Sequence, residues 1–361
     1  MLTVNLQQQN GRVVFLDYVR VIACFMVIFV HSCEFFYVGA DGCSITNDQD
    51  RFWISLIDGS FRVSVPLFVM TSSYLLLPLK VSGVPFFKRR FTRILIPFII
   101  WSVLYATVPV LYGDLTAEGM KESLQRLLYN FNMSSGHLWF IYMLIGLYMF
   151  MPILSPWLQQ ASKRGEQAFL AVWFLTTFHH AFKESIGDGW YGECFWNEFH
   201  TFWYFSGHIG FLVLAHYIRT YIDWSKQKSL LIGSLAFLLG TAYTVYSFYS
   251  RTQVSDDLYV IEIFWRFCTP NVVIATFGLF MMFKAISFDN EKIYKPVLSI
   301  SKLSYGMYLM HIFLLNFSYK LIHGHFSTPV EIVTIGLLTI VSCYVVAKLL
   351  SYLPGHKYIL G

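Results

Sequence analysis

Arg20 and His31 stand at the two ends of an unbroken apolar run, in the stretch RVIACFMVIFVH. A guanidinium is a permanent cation whose planar donors fit phosphate. An imidazole changes protonation near neutral pH and can take a proton from a hydroxyl or attack a carbonyl carbon. On an α-helix, eleven residues at 100° each make about 1100°, roughly 20° past three full turns, and span about 16 Å. The two side chains therefore share one face, with Arg20 in the cytoplasmic third of a membrane helix and His31 past its midplane. Ionisable groups at such depths cost at least about 2.5 kcal/mol each, so they face a polar cavity or a partner. A reading without chemistry also stands: Arg20 snorkels to headgroups or pairs with Asp17, and His31 satisfies a neighbouring helix.

Further polar groups recur along the apolar segments. Arg90 and Arg93, at i,i+3, lie in the most basic stretch, KVSGVPFFKRRFTR. A basic mouth suits a phosphate-bearing ligand, because charge-assisted hydrogen bonds to phosphate are short and strong. Positive charge there also serves membrane topology alone. His137 and Trp139 open GHLWFIYMLIGLY, where an interfacial Trp is ordinary and His137 is not. Lys302, Tyr305, Tyr308 and His311 fall in SKLSYGMYLMHIFLL, with positions 304, 308 and 311 on one helix face. Asp58 and Arg62 stand at i,i+4, and Glu262 and Arg266 repeat that spacing. Each pair is expected to form an ion pair on one helix or to line a cavity. The polar groups thus sort into a basic cytoplasmic mouth and a histidine-rich outer level of His31, His137, His311 and His208.

These side chains are positioned by a membrane-protein sequence. Of 361 residues, 56% are hydrophobic and only 13% charged, against about a quarter charged in soluble domains. Ten segments are long enough to span a bilayer at about 20 residues each. They fall near 14–38, 53–78, 94–112, 138–158, 167–181, 200–218, 229–249, 260–283, 297–319 and 330–351. The expected fold is an all-α, polytopic membrane protein, a single domain over 1–361 with no separate soluble domain. With the N-terminus in the cytoplasm, 16 Lys and Arg fall on inside segments and 6 on outside ones. That bias places both termini inside.

Other classes fit less well. Asp17 and Arg20 interrupt the first apolar segment and no small-x-small site follows, so it reads as a membrane helix rather than a signal peptide. No Lys/Arg run interleaved with aromatics marks a nucleic-acid surface. The six cysteines form no CxxC pattern. Cys43 and Cys194 both fall in outside loops and would pair if that side is oxidising. The loop FHHAFKESIGDGWYGECFWNEFH holds His179, His180, Glu193, Cys194, Glu198 and His200 without the tight spacing of a zinc motif, so no metal is expected.

Taken in order, several blocks resemble acyltransferase family 3. FLDYVRVIACFMVIFVH resembles its first helix, with an Arg, ten residues and a His. FRVSVPLFVMTSSYLLLP resembles its second helix, FFKRRFTRILIPFIIW its Arg-x-x-Arg segment, and GHLWFIYMLIGLYMFMPIL its His-Leu-Trp-Phe segment. FWYFSGHIGFLVLAHYI and ISKLSYGMYLMHIFLL are similar to two further blocks, so the resemblance covers nearly the whole chain. Two positions depart from the pattern: Ser73 stands where glycine is expected, and His208 follows Gly207 where an aromatic is usual.

The resemblance implies acyl-CoA, foremost acetyl-CoA, as donor substrate and a sugar hydroxyl as acceptor. The nearest branch is the one that O-acetylates bacterial surface polysaccharides, in the bacterial cytoplasmic (inner) membrane. Arg90 and Arg93 would bind CoA phosphates and Arg20 would hold the donor. His31 would act as general base or carry the acyl group transiently, with Glu34 orienting it or lying as a plain carboxylate at headgroup level. His137, Trp139, Tyr305, Tyr308 and His311 would line the substrate. The competing reading is a transporter or flippase that moves a polar lipid or sugar without chemistry. Another is a membrane acyltransferase acting on proteins or lipids. Oligomeric state is open.

Overall fold

The computed structural model describes residues 8–9, 12–81, 83–130, 133–186, 205–286 and 290–361. It is all-α apart from two two-stranded ribbons, Gln8–Gln9 with Arg12–Val13 and Val38–Gly39 with Gly42–Cys43. The first helices are α1 (Val14–Glu34), α2 (Asp48–Phe61), α3 (Ser64–Leu76), α4 (Val84–Thr107) and α5 (Ala117–Arg126). There follow α6 (Trp139–Gln160), α7 (Lys163–Thr176), α8 (His179–Ile186), α9 (Ile209–Tyr221) and α10 (Lys226–Arg251). The last are α11 (Leu258–Ile261), α12 (Pro270–Ala285), α13 (Glu291–Ile322), α14 (Thr328–Leu350) and α15 (Lys357–Leu360).

Among the described residues, eight helical segments are long and apolar enough to cross a membrane, which makes this a multi-pass membrane protein. They cover the expected spans except the fifth and sixth. The fifth falls on α7 and α8, of 14 and 8 residues, and the sixth on α9, of 13 residues. Part of the sixth, and Glu193, Cys194, Glu198 and His200, lie outside the described residues.

The breaks have local causes. The second span is two helices that meet at Arg62–Val63. Pro66 has no N–H for the Arg62 carbonyl, and its ring crowds that carbonyl. Arg62 and Asp58 remain on one turn as expected, with Nε to Oδ1 at 2.5 Å and Nη2 to Oδ2 at 2.9 Å. The guanidinium also lies 4.3 Å over the Trp265 ring. Breaking a buried pair leaves a bare charge, so Asp58→Ala should cost about 3–5 kcal/mol of stability. Thermal unfolding of the detergent-purified variant checks this.

The second spacing fails. Glu262 and Arg266 do not share a helix, because α11 ends at Ile261, a 3-10 turn covers Ile263–Trp265, and Pro270 starts α12. Glu262 instead accepts a hydrogen bond from the Tyr37 hydroxyl at 2.8 Å, and Arg266 lies 4.2 Å over Tyr259. Two cations cap helix ends. Arg219 donates to the Tyr74 carbonyl at 2.5 Å, at the end of α3, and Lys284 donates to the Ile218 and Ile222 carbonyls at the end of α9. Both satisfy carbonyls that a helix terminus leaves bare and place charge where the dipole favours it.

At the centre runs α1, packed on α2, α3, α12, α13 and α14. Beside it α10 and α12 approach closely, because Gly278 on α12 faces the Gly233 carbonyl on α10 with no room for a Cβ. Small residues of this kind let membrane helices meet backbone to backbone. The bundle leaves α3, α4, α6 and α13 around the polar face of α1.

Candidate functional site

Two adjoining cavities lie along α1. The larger, of about 470 Å3, opens on the side that the Lys/Arg bias assigns to the cytoplasm. Arg12, Arg20, Arg90, Arg93 and Lys302 line it, with Asp17 as the one carboxylate on its wall among the described residues. The arginines of the basic stretch lie in the first three turns of α4, which begins at Val84, and not in a loop before it. Their i,i+3 spacing turns both toward Arg20.

Asp17 organises this mouth. It is 1% exposed. Its Oδ1 accepts from Arg12 at 3.1 Å, Arg20 at 3.2 Å and Ser301 at 2.7 Å. Its Oδ2 accepts from the Tyr294 hydroxyl at 3.0 Å. Arg20 therefore both pairs with Asp17 and faces the cavity. The Arg12 guanidinium, outside the spans, is held above its usual pKa by hydrogen bonding to Asp17. Asp17→Asn separates two roles. If the carboxylate merely offsets positive charge, anion binding tightens. If it orients Arg12 and Arg20, binding of a CoA ester weakens by about tenfold, the worth of one hydrogen bond to a charged group. The weaker binding is expected, and titration calorimetry measures it.

Deeper along α1 is a pocket of about 110 Å3 lined by His31, Glu34, Arg62, His137, Trp139 and Phe267, among others. Glu34 Oε2 lies 2.8 Å from His31 Nδ1. An ionised carboxylate can only accept, so Nδ1 carries the hydrogen, and in the neutral imidazole Nε2 keeps its lone pair. Three imidazoles gather here. The His31 centroid is 5.1 Å from His311 and 6.4 Å from His137, and His137 is 4.9 Å from His311. His311 Nδ1 donates to the Tyr308 carbonyl at 2.5 Å, and its Nε2 has no partner among the described residues. Neither ring nitrogen of His137 has a partner in good hydrogen-bond geometry among the described residues, and the residue is 6% exposed. A buried polar atom without a partner is costly. No three His, Cys, Asp or Glu side chains among the described residues are arranged to hold a metal ion.

The expected site residues thus divide. Arg20, Arg90 and Arg93 share the basic cavity, and Tyr305 joins them there with its hydroxyl spent on the Ile94 carbonyl at 2.9 Å. His31, Glu34, His137 and Trp139 share the inner pocket, where Trp139 stacks on Phe267 at 5.5 Å. Tyr308 lines both, and its hydroxyl donates to the His137 carbonyl at 2.5 Å. His311 stands behind the pocket, fully buried. His208 lies 6.1 Å from Trp139 and 6.3 Å from Phe267, outside the histidine cluster.

Sequence reasoning missed Asp17 as a hub, Arg12 as a wall of the mouth, and Phe267. The i,i+3 spacing of Asp17 and Arg20 is a local signal. Ser301 and Tyr294 reach Asp17 from α13, a contact that no local pattern carries.

The family model described as an acyltransferase domain, that of acyltransferase family 3, matches residues 13–348. No curated protein matches the chain. No solved structure matches it.

Proposed function

We propose, from the premise that the chain belongs to acyltransferase family 3, that it moves an acetyl group from acetyl-CoA to a hydroxyl of a cell-surface glycan or related sugar. The membrane acyl transfer follows from the family. The donor, the acceptor, the residue roles and a place in a bacterial cytoplasmic membrane are our reading. The observation that carries it is the pairing of cavities on α1, cations around Arg20 at one end and the His31–Glu34 pair at the other.

CoA is a phosphate-rich anion with a long thioester arm. Arg90, Arg93 and Arg20, with Arg12 and Lys302 beside them, would hold its phosphates by charge-assisted hydrogen bonds. The arm would then run along α1 toward His31, about 16 Å away on the helix axis. The acceptor hydroxyl would lie against His31 Nε2. That nitrogen removes the hydroxyl proton as the oxygen forms a bond to the thioester carbonyl carbon. The carbon–sulfur bond then breaks, and the imidazolium returns its proton to the leaving sulfur, giving CoA thiol and the acetyl ester. Glu34 fixes the tautomer and stabilises the imidazolium, the task a carboxylate performs in hydrolase triads. Trp139, backed by Phe267, offers a ring face for the apolar side of a sugar, and His137 on the pocket wall offers hydrogen bonds to hydroxyls, with His311 behind it.

The test is CoA release by the purified protein. Acetyl-CoA is supplied with and without a bacterial surface polysaccharide, and the free thiol and the ester are both measured. Acceptor-dependent thiol release with matching ester supports the reading. Absence of acetyl-CoA binding and of thiol release contradicts it and favours transport without chemistry.

A further inference from the structure

The basic cavity and the histidine pocket adjoin, and together they reach from the cytoplasmic mouth to the outer half of α1. A continuous wet route of that length would leak across the membrane and would bring water to a reactive thioester. What stands between the two is therefore decisive. Three side chains line both cavities: Phe68 on α3, Phe140 on α6 and Tyr308 on α13.

They form one layer. The Phe140 ring is the middle member, 6.0 Å from Phe68 and 5.6 Å from Tyr308 between centroids, with planes inclined at 51° and 71°. Phe140 and Tyr308 are buried, and Phe68 is half-buried. Tyr308 is anchored by its hydroxyl on the His137 carbonyl. Phe68 and Phe140 have no polar side-chain atom and are held by packing alone. Phe140 also sits in the first turn of α6, directly after a 3-10 segment, Met133–Leu138, in which Ser135 departs from helical backbone with φ −122° and ψ 26°. Of the three rings, Phe140 therefore stands nearest to a break in regular helix. An apolar constriction of this kind excludes water by dewetting, and exclusion of water protects a reactive acyl group from hydrolysis.

We infer that Phe68, Phe140 and Tyr308 form an apolar septum between the cytoplasmic cavity and the His31 pocket, that the thioester arm crosses it by displacing Phe140, and that this ring limits the length of acyl chain that reaches His31. The crossing of the arm rests on the acyl-CoA reading above. The barrier to water does not. An acetyl group passes the layer and lies in the pocket beyond it. A longer chain keeps its methylenes between the rings and holds its carbonyl away from His31 Nε2.

The experiment uses the full chain in sealed proteoliposomes, as wild type, Phe140→Ala and Phe68→Ala, each shown to be folded by its thermal transition. Proton leak is measured without substrate, and turnover is compared for butyryl-CoA and acetyl-CoA. Wild type is expected to be tight and selective for acetyl-CoA. Both variants are expected to leak, and their butyryl to acetyl turnover ratio is expected to rise at least about tenfold, since one methylene in an apolar pocket is worth about 10–200-fold. If either variant fails to fold, the other, together with Phe140→Leu, which keeps apolar bulk and should stay tight, decides the matter. Folded alanine variants that remain tight, or that keep the wild-type chain-length ratio, overturn the septum. Wild type that turns over no acyl-CoA contradicts the functional reading instead, and the leak comparison then judges the septum alone.

Discussion

His31→Gln is expected to lower acyl transfer by about 10²–10⁴-fold, the usual worth of a positioned general base, while acetyl-CoA binding stays at the wild-type level. The reason is the division of the site. His31 lines the inner pocket and not the cation-lined cavity, so its loss removes no phosphate contact. Glutamine keeps the bulk and a hydrogen-bonding side chain near Glu34, so the helix should fold. What disappears is a nitrogen lone pair that can accept a proton. Single-turnover assays with saturating acetyl-CoA separate the lost chemistry from binding measured by calorimetry. A variant that folds normally and retains full turnover would remove His31 from the mechanism.

Arg90→Ala and Arg93→Ala are expected to act on the other half of the division. Each removes a hydrogen-bonding cation worth about 1.5–3 kcal/mol, which is about 10–150-fold in affinity. KM for acetyl-CoA should rise by that factor with little change in kcat, because the reacting atoms lie one cavity away. The two residues sit one turn apart on α4 and face the same space, so the double variant need not show the product of the single effects. Raising the salt concentration should weaken wild-type binding more than binding by either variant, since exposed charge contacts are screened. If these cations serve only topology, the purified variants will bind acetyl-CoA as tightly as wild type.

Much of this arrangement was legible before the structure, and the reasons are local. Eleven residues on a helix fix where Arg20 and His31 lie relative to each other, and both look onto adjoining cavities. Glu34, three residues after His31, is within reach of it on any helix, and the bond is there at 2.8 Å. The same rule failed at Glu262 and Arg266 because it assumes an unbroken helix, and Pro270 with a 3-10 turn removes that condition. The rule held at Asp58 and Arg62 only because the break falls just after Arg62. Apolar run length does not set helix length at α7 and α9, which are 14 and 13 residues long among the described residues and pack against each other. Pairing of Cys43 with Cys194 falls outside the described residues. Least legible were contacts that join distant parts of the chain, such as the reach of Ser301 and Tyr294 to Asp17 and the meeting of three rings from α3, α6 and α13.

The most direct test of the central claim places donor and acceptor on opposite sides of one membrane. Proteoliposomes of known orientation receive acetyl-labelled acetyl-CoA on the face that carries Arg90 and Arg93, and a bacterial surface polysaccharide on the other. The account predicts labelled ester on the polysaccharide with CoA thiol released on the donor face, no label when acetyl-CoA is supplied on the opposite face, and none with His31→Gln. Label that appears from either face, or that persists with His31→Gln, would contradict a donor site at the arginines joined to chemistry at His31.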